Sequence, residues 1–151
     1  MYKEISDKFH SILSKLIDKH PLRLSAQYSV DFQPFPAVIG KHSQEAGGNS
    51  MGLGGEGDID RIVLEIQCSW KSPKDDVVFD AAGLELLKWL ETKIPEWTQG
   101  ADAGYLPLFM NDAAADQNVT GTYKEYSKLK GLQQKMDPDA FWKKRGGGFT
   151  Y

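Results

Sequence analysis

The chain has 151 residues, enough for one domain with a real hydrophobic core. Its hydrophobic fraction of 40% and charged fraction of 26% are ordinary for a globular protein, and a net charge of -3 argues against nucleic acid, whose phosphates need a concentrated basic surface. No apolar run is long enough to span a membrane, the N-terminus lacks the apolar stretch of a secretory signal, and the single cysteine, Cys68, leaves no internal disulfide, so a cytoplasmic protein is expected.

Residues 3–19 read as an amphipathic helix, with Ile5, Phe9, Ile12, Leu13, Leu16 and Ile17 at helical spacing and Pro21 beyond its end. Residues 22–33 alternate: Leu24, Ala26, Tyr28, Val30 and Phe32 face one way, Arg23, Ser25, Gln27, Ser29, Asp31 and Gln33 the other. Pro34-Phe-Pro36 is expected to break this strand, with a short helix or loop over 37–45. Residues 46–58 hold six glycines and read as a flexible connection.

A second strand is expected over 61–70, with Ile62, Leu64, Ile66, Cys68 and Trp70 on one face and Val63, Glu65, Gln67 and Ser69 on the other. Asp75 and Asp76 suit the first turn of a helix that reaches about Ile94 and stops at Pro95, its inward stripe being Val78, Ala82, Leu86, Trp89 and Leu90. Tyr105–Asn111 reads as a third strand, 122–135 as a last amphipathic helix, and Asp137-Pro-Asp as the start of a terminal turn or helix. The order predicts an α+β fold, an antiparallel sheet with helices packed on one face, as a two-layer single domain over 1–151.

The run Leu106-Pro-Leu-Phe-Met-Asn-Asp-Ala-Ala-Ala-Asp-Gln117, then Tyr123-Lys-Glu-Tyr-Ser-Lys-Leu-Lys130, Met136-Asp-Pro-Asp-Ala-Phe-Trp142 and the Gly-Gly-Gly-Phe-Thr-Tyr151 tail, resembles the C-terminal segment of fungal berberine-bridge-enzyme-like FAD-linked oxidases. Phe32-Gln-Pro-Phe-Pro36 with Gly40-Lys-His-Ser-Gln-Glu-Ala-Gly-Gly-Asn49, and the strand ending in Trp70, resemble the same family in the same order. The resemblance implies a substrate-binding sheet whose open face lies over flavin and substrate. The FAD-binding domain itself has no match here, so no cofactor is expected for this chain, and FAD only if a partner protein supplies it.

Two carboxylates are candidate catalytic groups. Glu65 sits between Val63 and Gln67 on the open face, a setting suited to a general acid or base; plant relatives place a carboxylate on this strand, in a register nearer Val63. Asp112 follows Asn111, where plant relatives often carry a tyrosine. Gln27, Ser29, Gln67, Tyr105, Phe109, Asn111 and His42 are candidate substrate-binding residues, Asn111 matching a family asparagine near the flavin. A polar sheet face is also simply what water solvates, and that reading stays open.

No second His or Cys stands at ligand spacing from His42, so no metal is expected. Gly52-Leu-Gly-Gly-Glu-Gly57 precedes a strand instead of opening a helix, so it lacks the mechanism of a dinucleotide fingerprint. Lys143-Lys144-Arg145 reads as a solvated helix end. Two functions follow as expectations. One is a flavin-independent cyclase, isomerase or lyase of fungal secondary metabolism, a homodimer acting on a small apolar molecule. The other is a non-catalytic partner of a separate FAD-domain oxidoreductase.

Overall fold

The computed structural model describes residues 1–19, 26–98 and 105–151. The elements, in chain order, are helix α1 (Tyr2–Lys19), strand β1 (Gln27–Phe35), helix α2 (Ala37–Glu45), strand β2 (Arg61–Ser69), helix α3 (Asp76–Trp97), helix α4 (Tyr126–Met136) and the short helix α5 (Phe141–Arg145). Among the described residues three 3-10 turns punctuate them, at Pro73–Asp75, Met110–Asp112 and Thr120–Thr122. β1 and β2 form a two-stranded antiparallel sheet. The expected α+β class therefore holds. The predicted first residues of β1, 22–25, lie outside the described residues.

The chain divides into two compact units, one built from Met1–Gln33 and Leu64–Ala103, the other from Pro34–Val63 and Gly104–Tyr151. In the first, the helical period of α1 turns Ile5 and Ile12 inward, at 2% and 4% exposure, against Ala82, Leu86 and Leu90 of α3. Glu4 in its first turn and Lys19 in its last match the helix dipole. Tyr28 and Val30 of β1 and Leu64 and Ile66 of β2 close the cluster from the sheet side. Both helices thus cover one face of the ladder, and burying each large aliphatic side chain there contributes about 1.5–3 kcal/mol.

Trp89 and Trp97 meet edge to face at 5.7 Å beside this core, and Trp70 stacks on Phe79 at 5.1 Å. Phe79, not Val78, is the buried residue in the first turn of α3. Cys68 is exposed although it shares the alternation of Leu64 and Ile66.

Three sequence expectations need correction. Pro34 does not break β1, which runs on to Phe35; a residue without an N–H is tolerated where no ladder donor is needed. Pro95 does not end α3, which runs to Trp97, because in the last turn the ring removes a single backbone bond while Thr98 N–H and Oγ1 both donate to the Ile94 carbonyl at 3.1 and 2.8 Å. Tyr105–Asn111 is not a strand. It is extended coil ending in the Met110–Asp112 turn, and Pro107 has no N–H for a ladder.

Among the described residues of the second unit the buried side chains are Leu53, Val119, Thr120 and Tyr123. Asn49 organises the glycine-rich turn around Leu53: its Nδ2 donates to the Leu53 carbonyl at 3.0 Å and its Oδ1 accepts the Leu53 N–H at 3.1 Å. The end of the chain is pinned, since Thr120 Oγ1 donates to the Thr150 carbonyl at 2.7 Å and Tyr151 N–H donates to Gln133 Oε1 at 2.7 Å. No helix among the described residues is long and apolar enough to cross a membrane.

Candidate functional site

The open face of the sheet belongs to the first unit. Because Tyr28, Val30, Leu64 and Ile66 point to the helices, alternation turns Gln27, Ser29 and Asp31 of β1 and Glu65 and Gln67 of β2 to the other face. Ser29 Oγ donates to Asp31 Oδ2 at 3.0 Å. Gln27 and Gln67 are exposed, and Ser29 and Glu65 are half-buried. Four of the nine predicted site residues are thus gathered on one short ladder, offering amide, hydroxyl and carboxylate groups side by side.

Tyr28 belongs to the core side, as expected. Its hydroxyl donates to the Phe79 carbonyl at 3.3 Å. Burial, with the nearby Cys68 thiol and the Asp80 charge, holds that phenol well above its usual range. Burial, and then the Asp80 charge, also pushes the Cys68 thiol up, the state least suited to a nucleophile.

The other five residues belong to the second unit. His42 is exposed on α2. Tyr105 is not on a sheet: its hydroxyl donates to the Met51 carbonyl and accepts the Lys124 N–H at 3.0 Å, while Lys124 Nζ lies 4.5 Å over its ring. Burial raises its phenol, partly offset by that Lys124 N–H and the Arg61 charge. Phe109 packs edge to face on Phe35 at 5.9 Å. Asn111 and Asp112 are exposed on the Met110–Asp112 turn.

Sequence reasoning missed the polar framework beneath these residues. Arg61 Nη1 pairs with Asp58 Oδ1 at 2.6 Å, with side chains only 12% and 11% exposed. Asp58 Oδ2 also accepts the Gly54 N–H at 2.7 Å, and Arg61 Nε donates to the Tyr105 carbonyl at 3.4 Å. Burial works to raise the Asp58 carboxyl. The Arg61 hydrogen bond, the Gly54 N–H and the Arg61 charge outweigh it and hold the group below its usual range. The spacing of an acid three residues before an arginine was the available signal, and it sits at a loop-to-strand junction where helix pairing rules do not apply.

The glycine-rich turn does not fit a dinucleotide pyrophosphate. Four of its donors are consumed internally: Gly52 N–H by the Asn49 carbonyl, Leu53 N–H by Asn49 Oδ1, Gly54 N–H by Asp58 and Asp58 N–H by the Gly55 carbonyl. The Asp58 carboxylate already accepts the Gly54 N–H, and its charge repels an anion there. Among the described residues no group of three His, Cys, Asp or Glu side chains is arranged to hold a metal ion.

No family model matches the chain, and no solved structure matches it. Curated relatives do. An FAD-dependent monooxygenase of Arthrobotrys oligospora is 34% identical over 134 residues, covering 85% of this chain and 25% of that protein. An FAD-dependent monooxygenase of Aspergillus calidoustus is 32% identical over 121 residues, covering 78% of this chain and 22% of that protein. An uncharacterized FAD-linked oxidoreductase of Arthroderma benhamiae is 29% identical over 154 aligned positions, covering 99% of this chain and 30% of that protein. The chain is a partial homologue of fungal FAD-linked oxidoreductases, and it spans about a quarter of the length of the relatives it matches.

Proposed function

We propose that these 151 residues form the substrate-side part of an FAD-linked oxidoreductase of berberine-bridge-enzyme type, acting in fungal secondary metabolism together with a domain that holds the flavin. The observation that carries this reading is the pattern of coverage: most of this chain aligns with about a quarter of each flavoenzyme. The glycine-rich turn, whose Leu53 and Gly54 amides are already bonded within the chain, supports holding FAD outside these residues. What the chain contributes is then binding and orientation. Gln27, Ser29, Glu65 and Gln67 offer a hydrogen-bonding sheet face, and Asn111 on its exposed turn offers an amide to a substrate carbonyl.

The test is complementation. The remaining, FAD-binding portion of the Aspergillus calidoustus relative is produced with and without this chain. Co-purification, together with flavin absorbance bands that persist through gel filtration, supports the proposal. Failure of the two to associate overturns it. Conversion of that relative's natural substrate by this chain alone, free of flavin, marks instead the cyclase or isomerase reading; Glu65→Gln and Asp112→Asn must then abolish it if those carboxylates carry the proton transfer.

A further inference from the structure

The second unit carries an apolar groove. Its walls are α4, the start of α5 and the terminal segment; its lining includes Leu129, Leu132, Met136, Trp142, Phe149 and Tyr151. Leu132, Met136 and Trp142 are 54%, 74% and 68% exposed, and they line one groove instead of lying scattered over the surface. The groove is built, not incidental. Tyr151 N–H is held by Gln133, and Asp137 accepts the N–H groups of Phe141 and Trp142 at 2.7 and 3.0 Å, which fixes the wall that carries the indole.

Two features identify what fits there. Leu129, Leu132 and Met136 stand at i, i+3 and i+7 along α4, the spacing of a seam that packs against another helix. Lys128 and Lys135 stand immediately before Leu129 and Met136, at the positions that flank such a seam and select the partner's charge. Residues 124–145 hold seven Lys and Arg against three Asp and Glu, in a chain whose net charge is -3. The basic character of this end thus extends well beyond Lys143-Lys144-Arg145. Lys128 reaches Glu125 at 3.1 Å, but at 79% exposure that pair is readily exchanged for another.

We propose that this groove is the docking site for an acidic amphipathic helix of a protein partner, its apolar stripe on Leu132, Met136 and Trp142 and its carboxylates on Lys128 and Lys135. A second copy of the same face is disfavoured, because two segments rich in Lys and Arg would meet. Nothing in this docking site depends on where FAD is held.

The probe is a labelled three-heptad peptide with leucine at its seam positions and glutamate at the flanks, titrated with the full chain and followed by fluorescence anisotropy. A second peptide keeps the leucines and carries lysine at the flanks. The acidic peptide is expected to bind about tenfold or more tightly than the basic one, and the preference to shrink with added salt. Leu132→Glu with Met136→Glu should abolish binding, and Lys128→Glu with Lys135→Glu should invert the preference; all four side chains are exposed, and circular dichroism checks that the variants fold. Absence of binding, or equal binding of both peptides, overturns the proposal. Self-association lost in Leu132→Glu, or capture by anionic phosphatidylserine vesicles without peptide binding, overturns it in favour of a copy of this chain or a lipid surface.

Discussion

Gly40 of α2 and Gly54 of the glycine-rich turn meet backbone to backbone. A Cβ on Gly40 would lie 2.7 Å from the Gly54 nitrogen, and one on Gly54 would fall on the Gly40 carbonyl. Gly54 also adopts φ +91, so it is glycine for two independent reasons. Gly54→Ala is expected to cost about 3 kcal/mol or more in urea denaturation, because backbone cannot step aside as a side chain can. Gly57→Ala is the control. Its φ is +76, yet open space surrounds its Cβ position, so only the conformational cost of about 1 kcal/mol should appear.

The Asp58–Arg61 pair predicts an acid-sensitive second unit. A carboxyl whose folded pKa is depressed adds stability above its unfolded value, about pH 4, and loses it as pH falls through the folded value. Wild-type urea midpoints should therefore fall on acidification below about pH 5, and Asp58→Asn should flatten that slope while lowering stability at neutral pH by about 2 kcal/mol. Equal slopes in both proteins would remove Asp58 from the account.

Gly83 offers a case where the usual rule reverses. Glycine to alanine inside a helix ordinarily stabilises by about 1 kcal/mol. Here the new Cβ would lie 2.8 Å from the Tyr28 hydroxyl, which is engaged with the Phe79 carbonyl. Gly83→Ala should be destabilising by about 1 kcal/mol in the wild type and neutral or stabilising in Tyr28→Phe, a sign change that a double-mutant cycle measures directly.

Tyr105→Phe separates architecture from substrate binding. It removes the donor to the Met51 carbonyl and the acceptor for the Lys124 N–H while keeping the ring under Lys124. A loss of about 1–2 kcal/mol is expected by thermal or urea unfolding. A stability unchanged within error would return this tyrosine to the substrate-binding set.

On the proposed function, Asn111→Ala in the complemented oxidoreductase should lower kcat/KM about tenfold, the effect of one lost hydrogen bond, with flavin absorbance unchanged. Asn111 is exposed on its turn, so thermal stability should not move, and a shift there would mark a structural role instead.

Periodicity made the first unit largely readable. Ile5 and Ile12 on α1 stand two turns apart, seven residues, and Ala82, Leu86 and Leu90 on α3 repeat every four, so the helical turn alone puts them inside. Phe79 escaped because Val77, Val78 and Phe79 are consecutive and apolar, so local pattern offers no choice among them. The second unit resisted for a different reason. Leu53 is buried within a run of glycines by Asn49, and the Tyr105–Asn111 segment has its polar groups satisfied by distant side chains: Arg61 for the Tyr105 carbonyl and Thr122 for the Leu108 N–H at 3.1 Å. Pro107 was the legible warning against a strand. Alternation placed Gln27, Ser29, Glu65 and Gln67 on one face, whereas no local signal tells what Asn111 and Asp112 face.

The aromatic placement has a spectroscopic consequence. Of the four tryptophans, Trp70, Trp89 and Trp97 lie in the first unit, and Trp142 is the single indole of the second. Trp89 and Trp97 are paired beside packed aliphatic side chains, whereas Trp142 is 68% exposed on the groove wall. Each unit thus carries its own intrinsic emission, shorter in wavelength from the packed pair and longer, and open to quenching by iodide, from Trp142. With the three other indoles replaced by phenylalanine, the colour of the remaining emission reports directly on whether the groove is wet or filled.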